Sequence, residues 1–182
     1  MEISLHGKTA IVVASSQGLG KAIAKQFVEL GANVMISGRK EAKLTKVKEE
    51  LEKLNKGKVE FCKTDISRKE DIDDLIEKTI SSFGRIDILV NNSGGPPAGT
   101  FEEFTDEIWQ EAFELNLLSY IRLIRGCLPY LKKRGGKIIN IASSSVKEPI
   151  PGLILSNTFR TGVVGLSKTL SKELAPYHIL VN

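Results

Sequence analysis

The stretch "TAIVVASSQGLGKAIA" (residues 9–24) decides how the chain is read. After Thr9 it runs through five apolar residues, Ala10 to Ala14, rich in β-branched side chains, the pattern of a strand buried on both faces. A polar "SSQ" follows, then Gly18 and Gly20 flank Leu19 as a helix begins, predicted from about Leu19 to Leu30. Glycines at such a junction let the backbone come close to a ligand, and the first free amides of the helix suit a pyrophosphate. A glycine pair alone is also what a tight turn requires. Its position, between the first strand and first helix, is what points to a dinucleotide.

The rest of the chain repeats the same alternation. "NVMIS" (33–37) is predicted as the second strand. The charged stretch "RKEAKLTKVKEELEKLNKGK" after it carries a narrow apolar stripe of Leu44, Val47, Leu51 and Leu54, a helix with a solvated outer face. "VEFCK" (59–63) is the third strand, and Ser67 with Glu70 forms a predicted capping box for a helix bearing Ile72, Leu75, Ile76 and Ile80. "IDILVNN" (86–92) is the fourth strand. Thr105 is the predicted cap of a long helical stretch reaching Leu131, "KIINIAS" (137–143) is the fifth strand, and "HILV" begins a sixth. Between these last two lies "ILSNTFRTGVVGLSK" (154–168), with apolar residues at Phe159, Val163, Leu166, Leu170 and Leu174, again a one-sided helix. Buried strands alternating with amphipathic helices predict a doubly wound α/β domain: a parallel sheet, helices on both faces and right-handed crossovers. The whole chain, 1–182, reads as one Rossmann-type dinucleotide-binding domain.

Composition narrows the function. The chain has 182 residues, 41% hydrophobic and 26% charged, with a net charge of +4. That charge is spread over mixed-sign helix faces, and the short "KKRGGK" cluster (132–137) suits a helix C-terminus, so no nucleic-acid partner is expected. No apolar run is long enough for a bilayer and no signal pattern opens the chain, which predicts a cytoplasmic protein without a membrane partner. Cys62 and Cys127 lie far apart with no CxxC, so both are expected as reduced core residues. His6 and His178 are the only histidines, which argues against a metal site and against a Ser-His-Asp hydrolase.

Sheets of this kind bind ligands beyond the carboxyl ends of their strands. After the second strand, "ISGRK" places Gly38 and Arg39 where NAD-preferring folds put an acid. The Arg39 fork suits a 2′-phosphate, favouring NADP with NAD possible, although a surface arginine opening a charged helix has the same sequence.

At this point "SSQGLG", Thr64–Asp65, "NNSGG" (91–95), "LNLL" (115–118) and "IINIASSS" resemble, in order and spacing, the short-chain dehydrogenase/reductase family, and in flavour its 3-oxoacyl-carrier-protein reductases. The resemblance implies cofactor contacts from Ser15, Ser16, Gln17, Gly18, Leu19, Gly20, Arg39, Asp65, Ile66, Asn92, Ser93, Gly94 and Arg160. Asp65 matches the family's adenine-binding acid. Asn116 matches its catalytic asparagine, and Ser143 the serine that polarises the substrate carbonyl.

Two departures matter. The family's TGxxxGxG begins here with Val13 and Ala14. Its catalytic tyrosine and lysine, four residues apart, are replaced by Ser156 and Arg160, from either direction of alignment. Tyrosine starts near pKa 10 and is tunable by a neighbouring cation, whereas a serine hydroxyl is far less acidic and an arginine keeps its proton. Three readings follow. The first is an NADP(H)-dependent oxidoreductase acting on a carbonyl or secondary alcohol, with catalytic residues Ser143, Asn116, Ser156 and Arg160 and an atypical relay to which Lys147 is a further candidate. The others are a non-catalytic dinucleotide-binding sensor or subunit, and lyase chemistry in the same pocket. The plain alternative for Ser156 is a helix-start residue satisfying free amides. The family usually continues beyond "HILVN" with a last strand and substrate loop, so the chain is expected to be truncated there. Family habit also implies a homodimer or homotetramer.

Overall fold

The computed structural model describes residues 3–182. Six strands, β1 (Thr9–Val12), β2 (Asn33–Gly38), β3 (Val59–Lys63), β4 (Ile88–Asn91), β5 (Gly136–Asn140) and β6 (Ile179–Val181), form one parallel sheet in the order β3-β2-β1-β4-β5-β6. Helices α1 (Gly18–Glu29), α2 (Glu41–Glu52), α3 (Lys69–Phe83), α4 (Asp106–Phe113), α5 (Ser119–Leu131) and α6 (Ile154–Glu173) connect them. The strand order reverses between β1 and β4, whose register pairs Ala10 with Ile88 and Val12 with Val90. The loops leaving β1 and β4 therefore diverge from one point, which is where such sheets form a crevice.

Alternation along each strand divides the core in two. Ile11, Val13, Met35, Leu89 and Ile138 face Ile72, Leu75 and Ile76 of α3 and Leu123, Ile124, Cys127 and Leu131 of α5. Ala10, Val12, Val34, Ile36, Ile88 and Val90 face Ala24 and Val28 of α1 and Leu44, Val47 and Leu51 of α2. Both sides of the central strands exclude water, which explains their unbroken apolar runs.

Several expectations shift in detail. The first strand stops at Val12 because Ala14 turns to a positive φ of 49°. Ser67 and Glu70 make no capping box: α3 begins at Lys69 with Arg68 as its N-cap, and the Ser67 hydroxyl instead donates to Asp65 Oδ1 at 2.7 Å. Thr105 is the N-cap of α4 but makes no side-chain capping bond. The long helix it opens is continuous to Leu131 yet interrupted by a π-helical turn at Glu114–Leu118. On α6, Val163 is buried as expected, whereas Phe159 packs edge-on against Trp109 of α4 at 5.7 Å. Among the described residues, no helix is long and apolar enough to cross a membrane.

Candidate functional site

The loop after β1 is held by Ser15. Its hydroxyl donates to the Val12 carbonyl at 2.7 Å and accepts from the Ser37 amide at 3.0 Å, tying the ends of β1 and β2 together. The side chain is fully buried. The two glycines that follow serve different needs. Gly18 has φ +58°, and a Cβ there would meet nothing within 4 Å, so it answers to backbone conformation and leaves space above the helix start. Gly20 answers to packing: a Cβ would lie 2.5 Å from the Ala14 carbonyl oxygen and 2.9 Å from Ser15 Cα. The first turn of α1 carries no acidic residue. Its free amides and positive pole are thus open to an anion.

A cavity of about 410 Å³ opens above this helix start, within the usual size range of small-molecule sites, roughly 300–1,000 Å³. It is lined by Ser16, Gln17, Gly18 and Leu19 from the first loop, Arg39 after β2, Asp65 and Ile66 after β3, and Asn92, Ser93 and Gly94 after β4. Ala14, Gly38, Thr64, Gly95 and Leu115 complete the lining. Ser15 and Gly20 are absent from it, one stapling strands and the other packing helix to loop.

Positioning bonds fix this lining. Asn92 Nδ2 lies 3.3 Å from the carbonyls of both Val13 and Ala14, so the β4 loop braces the β1 loop. Lys43 donates to Gln17 Oε1 at 2.7 Å. Asp65 Oδ1 accepts from the Ser67 amide and hydroxyl, and the Asp65 amide donates to Asp71 at 2.8 Å. Arg39 is exposed and has no hydrogen-bond or ion-pair partner among the described residues.

The residues expected to do chemistry lie beyond that lining. Asn116, in the π turn, is fully buried. Its Nδ2 donates to Ser93 Oγ at 3.0 Å and to the Gly94 carbonyl at 2.8 Å, while its Oδ1 has no partner. Ser143 is half-buried and caps a short 3₁₀ turn (Ser144–Val146), accepting from the Ser145 amide at 3.2 Å. Ser156 is half-buried in the first turn of α6, without a side-chain hydrogen bond. Lys147 is exposed. Arg160, only 6% exposed, points into the protein: Nη1 donates to Tyr120 Oη and the Ile141 carbonyl, both at 2.8 Å, and Nη2 to Ser93 Oγ at 3.0 Å. Sequence reading missed Tyr120, which is fully buried between these groups and looks in sequence like any aromatic core residue.

No group of three or more potential metal ligands occurs among the described residues. The cavity's donor set suits a dinucleotide instead. It has glycine-opened backbone at a helix N-terminus, an unpaired guanidinium at the end of β2, and a carboxylate at the end of β3.

Comparison with known proteins agrees with that chemistry. The family model described as short chain dehydrogenase matches residues 8–182. An uncharacterized oxidoreductase of Bacillus subtilis, YvrD, is 36% identical over 183 residues, covering 100% of this chain and 68% of the relative. The 3-oxoacyl-[acyl-carrier-protein] reductase FabG of Chlamydia muridarum is 33% identical over 183 residues, covering 100% of the chain and 74% of its own length. Among solved structures, L-sorbose reductase of Gluconobacter frateurii, complexed with NADPH and L-sorbose, matches with a TM-score of 0.97 and 34% identity over 100% of this chain and 70% of that one.

Proposed function

The chain belongs to the short-chain dehydrogenase family, and on that premise we propose that it is an NADP(H)-dependent oxidoreductase acting on a carbonyl or secondary-alcohol substrate. The observation that carries the NADP preference is Arg39, unpaired at the rim of the cavity where no acid ends β2. When bound, the nicotinamide supplies or accepts the hydride. The α1 amides beside Gly18 would hold the pyrophosphate, Arg39 the 2′-phosphate and Asp65 the adenine end, with Asn92, Ser93 and Gly94 lining the other wall.

Ser143 keeps its hydroxyl proton available, since its oxygen already accepts from Ser145, and donates to the substrate oxygen where negative charge develops. The unpartnered Oδ1 of Asn116 is an acceptor for a relay water. Ser156, with no bond of its own, extends the hydrogen-bond chain by which a proton from solvent reaches the substrate oxygen. The assignment to the cytoplasm and to a homodimer or homotetramer belongs to the same proposal.

A second reading has an observation of its own. Ser156 is a weakly acidic hydroxyl without a hydrogen-bond partner among the described residues, and the cation one turn on, Arg160, is buried against Tyr120, Ile141 and Ser93, which favours a dinucleotide-binding subunit without turnover. Titration with NADPH and NADH, followed by cofactor fluorescence, comes first. NADPH should saturate at about tenfold lower concentration than NADH, and Arg39→Ala should abolish the difference. No saturable signal with either removes the dinucleotide assignment. A panel of carbonyls with NADPH, and of alcohols and sugars with NADP, then separates the readings. Binding without turnover, with activity gained in Ser156→Tyr, establishes the silent subunit. Turnover unchanged in Ser143→Ala removes the role given to that serine.

A further inference from the structure

The position where the family keeps a lysine holds a guanidinium buried behind the Ser93–Gly94 wall of the cavity. We propose that Arg160 is a positioning residue, a buried brace that fixes the Ser93–Gly94 wall against Tyr120 and the end of β5, and that it does not contact the cofactor. The proposal rests on the reading of the cavity as a dinucleotide site, because Ser93 and Gly94 are part of that wall.

The hydrogen-bond inventory carries it. An Nη nitrogen has two hydrogens. Nη1 uses both, on Tyr120 Oη and the Ile141 carbonyl at 2.8 Å each. Nη2 reaches Ser93 Oγ at 3.0 Å, with the carbonyls of Ser93 and Gly94 both at 3.4 Å. The two sides of one planar fork thus grip different parts of the fold: helix α5 and the end of β5 on one side, the loop after β4 on the other. Asn116 Nδ2 binds the same two loop acceptors, Ser93 Oγ and the Gly94 carbonyl, from the π turn. Tyr120 locks the far side. It is fully buried, donates to the Ile141 carbonyl at 3.0 Å, and has the Arg160 guanidinium 5.8 Å from its ring centre.

No carboxylate pairs with Arg160 among the described residues. The cation is held by neutral oxygens, so its geometry is set by direction rather than by a counter-charge. A lysine keeps the charge but presents one compact ammonium, which cannot serve both sides of the fork. That difference makes the conservative substitution informative: a residue that meets the ribose through its charge tolerates lysine, and a brace does not.

The test uses two variants and two readouts. Backbone ¹⁵N order parameters of Ser93, Gly94 and Gly95 are measured without ligand, and NADPH affinity is measured by fluorescence. In Arg160→Lys the three order parameters should fall from the rigid range near 0.85 to about 0.6, while those of β2 stay unchanged. NADPH binding should weaken roughly tenfold. Tyr120→Phe, which alters a side chain outside the cavity, should weaken binding about threefold, and the double variant should bind no worse than Arg160→Lys, because both substitutions cut the same strut. Unchanged order parameters in Arg160→Lys overturn the brace. So does NADPH binding unchanged in Arg160→Lys, the behaviour of a cation that meets the ribose through its charge. If Arg160→Lys does not fold, Tyr120→Phe decides alone by the same two readouts. If the wild type binds neither NADPH nor NADH, the dinucleotide reading fails while the order parameters still decide the brace.

Discussion

Replacing Ala14 by glycine should stabilise the protein. Ala14 sits at φ +49°, in the left-handed region where a Cβ approaches the following carbonyl at a cost of about 1–2 kcal/mol. Glycine removes that strain but gives the unfolded chain more freedom, which offsets roughly 0.4–1 kcal/mol. The Ala14 methyl is part-buried against the α3/α5 side of the core, and losing it costs about 0.4 kcal/mol, half of a fully buried methylene. The net is a gain of about 0.5 kcal/mol, or roughly 1–2 °C in a domain of this size. Ala14→Val should move the other way by more than about 1 kcal/mol, since β-branching worsens the left-handed conformation. Thermal unfolding of both variants beside wild type, by circular dichroism, gives the answer. A loss of more than about 1 kcal/mol in Ala14→Gly would show that methyl packing outweighs strain. A neutral Ala14→Val would mean that the backbone is not left-handed there.

Three further outcomes are expected. Gly20→Ala drives a methyl into the Ala14 carbonyl at 2.5 Å, so the melting temperature should fall by several degrees despite alanine's better helix propensity, a net loss of about 1–2 kcal/mol. Asp87→Ala leaves the Thr9 amide and the Arg85 guanidinium without their acceptor, and the urea midpoint should drop by the equivalent of about 2–3 kcal/mol at unchanged slope. Burial pushes the Cys127 thiol from 9.0 up to about 12. Above pH 9 the unfolded chain therefore releases a proton that the folded one keeps. The stability contributed by the neutral thiol is full below pH 9 and lost towards pH 12, at up to about 1.4 kcal/mol per pH unit; Cys127→Ala should show a shallower alkaline decline than wild type in urea titrations from pH 8 to 10.5.

The architecture was readable because strands buried on both faces leave unbroken apolar runs, and helices covering them leave one-sided stripes. Val59–Lys63 was located to the residue, and Asn33–Gly38 within one. The cavity lining was readable for a related reason: Gly18, Arg39, Asp65 and Asn92–Gly94 are placed by strand ends, and strand ends follow from the runs. What escaped depends on where a side chain turns. Ser67 had the sequence of a cap, but Asp65 two residues away offers a charged acceptor and takes its hydroxyl. Arg160 has the spacing of a cofactor-binding cation, and nothing local reveals that Tyr120, forty residues earlier, draws it inward. The π turn was equally silent, because a helix with one extra residue still alternates polar and apolar residues convincingly.

That turn separates two packing frames. At Ser119 the amide bonds the Glu114 carbonyl, five residues back, and the Ser119 hydroxyl takes the Leu115 carbonyl that a regular α-helix would have assigned to the amide. One inserted residue rotates everything beyond it by about 100° relative to a straight helix. Upstream, Trp109 and Phe113 are thereby aimed at Phe159 of α6; downstream, Leu123, Ile124 and Cys127 are aimed at the sheet and α3. A one-residue deletion within 114–118 would restore an uninterrupted α-helix and lose one of those two alignments. A single rod thus serves two neighbours that no regular helix of the same sequence could satisfy together, and the buried Asn116 sits where the two frames meet.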